Sequence, residues 1–131
     1  MIDHFSVDRN RVHDAGYFAG GETMSQAVAL RLNLYAACIH GGSQWDGAYA
    51  AVAENRVAVY ILMAENDEYY GSRRAHNAYA GLHAAYEGLG PSDSEINALL
   101  QLSIPDNAYF NARVFTTIMA EEAWCLMMKR F

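Results

Sequence analysis

The sequence is poor in cysteine and in basic residues, and each scarcity excludes a class of protein. The two cysteines among 131 residues, Cys38 and Cys125, match no metal-binding or redox spacing, so we interpret both as reduced thiols of a cytoplasmic chain. Nine Lys and Arg against fifteen Asp and Glu give a net charge of −6, which argues against nucleic acid or an anionic membrane as a partner. The most apolar run, residues 27–39, is interrupted by Arg31 and Asn33, so neither a membrane span nor a signal peptide is expected.

The residues that are present predict a single α/β domain over residues 1–131. The chain is 53% hydrophobic, which is enough for a core, and it contains no repeat or linker. Strand and helix patterns alternate, which indicates parallel strands joined by helical crossovers. We therefore predict a three-layer sandwich with a three- or four-stranded, mostly parallel sheet. The predicted strands are residues 11–16, 36–40 and 57–63, the predicted helices are 22–33 and 72–88, and a short helix opens at a Ser92–Glu95 capping box and leads toward 99–104.

A glycine-rich turn follows the first predicted strand. Residues 16–21 read Gly-Tyr-Phe-Ala-Gly-Gly, and strand, Gly-x-x-x-Gly and helix in this order are the layout of a nucleophile elbow. The centre of that motif should be serine, whereas Phe18 has neither a hydroxyl proton nor a lone pair. A plain strand-to-helix corner that needs small residues explains the glycines equally well, and a phosphate loop is less favoured because no P-loop lysine is present.

Four segments stand in a telling order along the chain, namely residues 10–12, residues 15–17 with 20–25, residues 40–47 and residues 64–72. Together they resemble the C-terminal half of an α/β-hydrolase. The resemblance is to bacterial esterases and polyhydroxyalkanoate-depolymerase-like members of the prolyl-oligopeptidase-like group, and it covers about residues 8–113. It implies that Phe18 occupies the position of the nucleophilic serine and that Ala19 offers its backbone N–H to the oxyanion hole. It also implies that Asp67 is the acid of the triad, and it implies no cofactor or metal.

The histidine of such a triad has no counterpart in this chain. It should follow the last strand, but the sequence has no histidine after His83, and residues 114–131 lack the family's character. Reading permitted codons of residues 116–131 two bases later gives a His- and Gly-rich sequence of the kind the family carries there. We therefore hypothesise that this novel tail is a frameshift product, which sequencing of the encoding DNA would test.

Other residues could carry replacement chemistry. Ser43 could act with His40 close by, although a serine here more often caps a turn. His13, His76 and His83 could approach from elsewhere, but helical histidines are usually solvated or packed. Glu65 and Glu68 beside Asp67 are interpreted as a solvated acidic turn rather than a metal site. Aromatic residues in loops at the carboxyl ends of the strands could line a substrate crevice, namely Trp45, Tyr49, Tyr69 and Tyr70.

Two functions remain open. The chain is either a weak hydrolase of small carboxylic esters with an incomplete triad, or a non-catalytic fragment that associates with itself or with a partner. A half-sheet with a bare edge is expected to pair with a second copy, so we predict a homo-oligomer, most simply a dimer. The tail could contribute an apolar helix to that contact through Trp124, Met127, Met128 and Phe131.

Overall fold

The computed structural model describes residues 6–8, 11–31 and 33–107. The tail and Cys125, on which several predictions bear, lie outside these residues. The described elements alternate between strand and helix. They are β1 (His13–Tyr17), α1 (Ala19–Leu30), β2 (Ala37–Gly41), α2 (Tyr49–Glu54), β3 (Ala58–Leu62), α3 (Ser72–Glu87), α4 (Asp93–Leu99) and β4 (Leu100–Ser103).

The four strands form one parallel sheet in the order β1-β2-β3-β4. The chain is therefore an α/β protein, and the upper of the two predicted strand numbers is confirmed. Both central strands, β2 and β3, are buried over all five of their residues, which explains why β3 reads as an unbroken apolar run. Parallel pairing brings the carboxyl ends of all four strands to one edge, where the loops that follow β1, β2 and β3 meet.

The helices pack together against one face of the sheet. Each crossover moves one strand further in the same direction, and right-handed crossovers in such an order place every helix on the same side. All four helices accordingly contribute buried side chains to one core cluster, including Val28, Val52, Leu82 and Ile96. Strand residues line the second face, with Tyr17 and Leu99 packed against them. The third layer of the predicted sandwich is therefore not among the described helices.

Two helices differ from the sequence-based prediction. Helix α1 begins at Ala19, three residues before the predicted start, because the glycines that suggest a turn already belong to its first turn. No helix was predicted between residues 33 and 72, but this stretch contains α2, whose buried Val52 and Ala53 face the sheet. A six-residue helix of this kind is too short for a clear periodic signal.

The predicted capping box at the start of α4 is confirmed. The Glu95 backbone N–H donates to Ser92 Oγ at 3.4 Å, and the Ser92 N–H donates to Glu95 Oε2 at 2.9 Å. These two bonds satisfy donors that would otherwise be unpaired at the helix end. The Ser92 N–H and the Ser92 hydroxyl both donate to the Glu95 carboxylate and hold its pKa below the usual value.

The predicted dimer is testable at the edge strand β1. The exposed Ala15 turns its N–H away from β2 and donates it to Asp14 Oδ1 at 2.9 Å. If two copies pair along β1, Ala15→Pro should abolish the dimer, since proline removes this outward donor yet is tolerated on an edge strand. Sedimentation equilibrium should show a wild-type dimer and a monomeric variant. A wild-type monomer at every concentration would contradict the predicted dimer. A variant that still forms the dimer would show that the contact does not lie along β1.

Candidate functional site

The turn between β1 and α1 holds residue 18 in a strained conformation. Phe18 has φ 55° and ψ −128°, in a region that bulky side chains rarely adopt. Its N–H donates to the Gly41 carbonyl at 3.1 Å, and its own carbonyl accepts the Gly21 N–H at 2.9 Å. The sharp strand-to-helix turn predicted from the glycine pattern is thus present, with Phe18 at its centre.

Two glycines make this turn sterically possible. A Cβ on Gly16 would lie 2.4 Å from the Gly20 carbonyl oxygen, and one on Gly21 would lie 2.6 Å from Ser43 Cβ. Neither distance can be accommodated without moving backbone or a buried side chain. By contrast, a Cβ on Gly20 would meet no heavy atom within 4 Å. The first helical turn therefore packs directly against β1 and the loop after β2.

The Phe18 side chain belongs to an aromatic cluster, which we define as Phe18, Tyr69 and Tyr70. The ring centroid of Phe18 lies 4.9 Å from that of Tyr69 and 5.4 Å from that of Tyr70, and the two tyrosine rings are 4.9 Å apart. Tyr69 is 68% exposed and forms the outer side of the cluster. The Phe18 phenyl ring thus occupies the position at which an elbow presents its nucleophile.

Asp67 lies beside this cluster, in the turn that follows β3. Its Oδ1 accepts the backbone N–H groups of Tyr69, Tyr70 and Gly71 at 3.0, 2.6 and 3.0 Å. The residue is only 8% exposed, and its Oδ2 has no hydrogen-bond partner. Burial, together with the charge of Asp67, raises the pKa of Tyr17. The structure therefore brings Asp67 close to the elbow, as the resemblance implies.

A contact that the sequence analysis missed ties α1 to the Asp67 turn. The Tyr70 hydroxyl donates to Glu22 Oε1 at 2.8 Å. Burial and this carboxylate raise the pKa of Tyr70 to about 12, against the opposing effect of a hydrogen bond with Ser43. The acidic residue in the first turn of α1 was a visible signal, but its partner is 48 residues away in the chain.

His40 and Ser43 are both completely buried and do not form a nucleophile–base pair with each other. His40 Nε2 bonds to the Gln44 carbonyl at 3.0 Å, and Ser43 Oγ donates to the same oxygen at 3.4 Å. His40 Nδ1 is buried without a partner. Their catalytic role stays a prediction, and it would require Ser43 Oγ to turn away from Gln44 and become accessible.

The buried His40 predicts a loss of stability in acid. Burial lowers its pKa below the ordinary value of 6.5, although the Gln44 carbonyl, Asp46 and Glu22 act in the opposite direction. The unfolded chain then takes up this proton at a higher pH than the folded chain. Stability is fully present above pH 6.5 and falls below it, by no more than about 1.4 kcal/mol per pH unit for one histidine.

Urea unfolding at several pH values checks this expectation. His40→Gln should flatten the decline in acid, whereas His76→Gln on the exposed side of α3 should leave it unchanged. Part of the decline should remain in His40→Gln, because burial also lowers the pKa of His13. Identical pH profiles for wild type and His40→Gln would contradict the prediction.

The residues predicted to line one substrate crevice fall into two places. Tyr69 and Tyr70 belong to the aromatic cluster, whereas Trp45 and Tyr49 stack with ring centroids 6.5 Å apart. The latter pair line a cavity of about 200 Å³ between the loop after β2 and helix α3. Arg74 connects the two places, since it lines this cavity and its guanidinium carbon lies 5.6 Å from the centre of the Tyr70 ring.

Several remaining candidates are engaged in contacts of their own. His83 contacts Glu87 one turn further along α3, with Nδ1 3.5 Å from Oε2, and Glu65 accepts the Asn107 N–H at 2.7 Å. Cys38 is a free, buried thiol whose pKa is raised by burial. Within residues 6–8, 11–31 and 33–107, no three His, Cys, Asp or Glu side chains are grouped to hold a metal ion. No helix in the same part of the chain has the length and apolar character needed to cross a membrane.

Comparison with known proteins identifies the fold. No protein-family profile and no curated protein matches the chain. Among solved structures, a thermostable esterase matches with a TM-score of 0.70 at 16% sequence identity. The match covers 98% of this chain and 33% of that esterase, so the chain spans about a third of its length. The chain therefore has an esterase-like α/β fold.

Proposed function

We propose that this chain is an esterase-derived α/β protein that weakly hydrolyses small carboxylic esters. The observation that carries the proposal is the strained turn at Phe18, with φ 55° and ψ −128°, held between the tightly packed Gly16 and Gly21. Such strain is kept where surrounding packing enforces it, and it is a feature of functional turns. The esterase-like fold and the position of Asp67 beside the turn support the same origin.

The expected rate is low because two of the three triad groups are missing. Phe18 cannot form an acyl-enzyme, and the chain has no histidine after His83 to act as the base. Substrate binding and the Ala19 N–H, which the resemblance implies for the oxyanion hole, remain, together with any contribution from Asp67, Ser43 and His40. In serine hydrolases stripped of their triad, such effects leave an acceleration on the order of 10³ to 10⁴ over water.

Hydrolysis of p-nitrophenyl acetate by the purified chain tests the proposal. The wild type should exceed the buffer rate by a small, reproducible factor, and Asp67→Ala, Ser43→Ala and His40→Ala identify the contributing groups. Ser94→Ala and His76→Ala, both exposed and distant in sequence from the turn, serve as matched controls.

Loss of activity in Asp67→Ala that circular dichroism shows to be folded, with active controls, would support the proposal. A loss confined to Ser43→Ala and His40→Ala would show instead that these two residues have replaced the triad. A wild-type rate equal to that of buffer, or a rate equal to wild type in each of the three site variants, would overturn it. The non-catalytic alternative would then become the favoured function.

A further inference from the structure

The Asp67 carboxylate is buried with half of its hydrogen-bonding capacity unused. Oδ1 accepts three backbone N–H groups, while Oδ2 has no partner and the residue is 8% exposed. A buried, unsatisfied oxygen of a charged group is costly, so it is a strong acceptor for any donor that can reach it. A cationic N–H donor would satisfy both the hydrogen bond and the charge.

No basic side chain of the described residues neutralises this carboxylate. Arg74 lies over the Tyr70 ring rather than in an ion pair with Asp67. Glu22, which accepts from the Tyr70 hydroxyl, and the exposed Glu68 add further negative charge around the turn. With a net charge of −6 over the whole chain, the local and the overall electrostatics both favour a cation over an anion.

The neighbouring rings suit the same kind of ligand. Because Oδ1 is bonded to the backbone of Tyr69 and Tyr70, the carboxylate lies within the turn that carries both rings, and Phe18 packs on both. Aromatic faces attract cations, and the Arg74 guanidinium 5.6 Å from the Tyr70 ring centre shows this attraction here.

We propose that Asp67 and the aromatic cluster form a binding site for a small organic cation with a primary ammonium group. The ammonium donates to Oδ2, and its alkyl chain lies against the rings of Phe18 and Tyr69. The Tyr69 ring, 68% exposed, is the side at which the ligand enters and is displaced outward on binding. This site shares Asp67 and Phe18 with the proposed esterase site, but its ligand differs in charge from a neutral ester.

Three probes of similar size separate the contribution of the positive charge from that of the N–H donors. In NMR titrations that follow the tyrosine ring signals, butylammonium offers a charge and N–H donors, tetramethylammonium offers a charge alone, and butanol offers neither a charge nor an N–H. We expect saturable binding of butylammonium about tenfold tighter than butanol, with tetramethylammonium between them.

Two isosteric variants locate the site. Asp67→Asn should weaken butylammonium about tenfold and remove its preference over butanol, and Glu68→Gln removes the same charge one residue away as the matched control. Tyr69→Leu should weaken both cations, and circular dichroism checks that each variant is folded. Absence of saturable binding, equal binding of butylammonium and butanol, or an Asp67→Asn variant that binds like wild type would overturn the proposal. Because these readouts do not use ester turnover, failure of the esterase proposal leaves the ammonium site intact, and the converse also holds.

Discussion

Gly16→Ala is expected to lower the free energy of unfolding by about 2 to 3 kcal/mol, as forced overpacking in a well-packed region does. The new Cβ would lie 2.4 Å from the Gly20 carbonyl oxygen and 2.8 Å from Gly21 Cα, both of them backbone atoms that cannot rotate away. Helix α1 would have to separate from β1, and the turn that holds Phe18 would open with it. Urea denaturation followed by circular dichroism measures the effect.

Gly20→Ala is the matched control in the same turn. Its Cβ would meet nothing within 4 Å, and the residue lies inside α1, so alanine should raise stability by about 0.5 to 1 kcal/mol. The two substitutions add the same methyl group four residues apart and are expected to have opposite signs. A Gly16→Ala variant as stable as Gly20→Ala would mean that the helix does not pack against β1 as described.

The second large effect is expected at Asp67. Asp67→Ala removes the acceptor of three backbone N–H groups at once, and hydrogen bonds to a charged group contribute more than neutral ones. The exposed side of the turn lets water replace part of the loss, so we expect a decrease of about 2 to 4 kcal/mol in the free energy of unfolding. Thermal and urea unfolding of the purified variant measure it.

Asp67→Asn and Glu68→Ala are the controls for this substitution. The asparagine keeps an oxygen at the position of Oδ1 and should lose clearly less stability than the alanine. The exposed Glu68 is expected to change stability by no more than about 0.5 kcal/mol. Equal stability of Asp67→Ala and Glu68→Ala would contradict the described hydrogen bonds of the Asp67 turn.

The parts of the fold that were predictable from the sequence depend on neighbours along the chain. β3 is an uninterrupted apolar run because both of its faces are buried, and the capping box at Ser92 is complete within four residues. The elbow was visible for the same reason, since Gly16 and Gly20 form a local Gly-x-x-x-Gly motif, although the second tightly packed glycine of the turn is Gly21 rather than Gly20. Residues that are close together in the sequence determine such features, so the features can be predicted from the sequence.

Other parts depend on residues that are distant in the sequence. The Glu22–Tyr70 hydrogen bond joins residues 48 positions apart, and the common acceptor of His40 and Ser43 results from how the loop after β2 folds back. α2 forms because Val52 and Ala53 have a sheet face to cover, which no window of six residues reveals. The placement of all four helices on one face follows from strand order, which the sequence alone did not give.

We infer that an esterase-like elbow here presents Phe18 and that, within residues 6–8, 11–31 and 33–107, no other side chain has taken over as an activated nucleophile. Intact-mass spectrometry after incubation with a serine-directed phosphonate tests it most directly, with an active serine esterase as the positive control for the probe. We expect an unchanged mass for the wild-type chain, because Phe18 cannot react and Ser43 is completely buried. A stoichiometric phosphonate adduct mapped to Ser43 would contradict it.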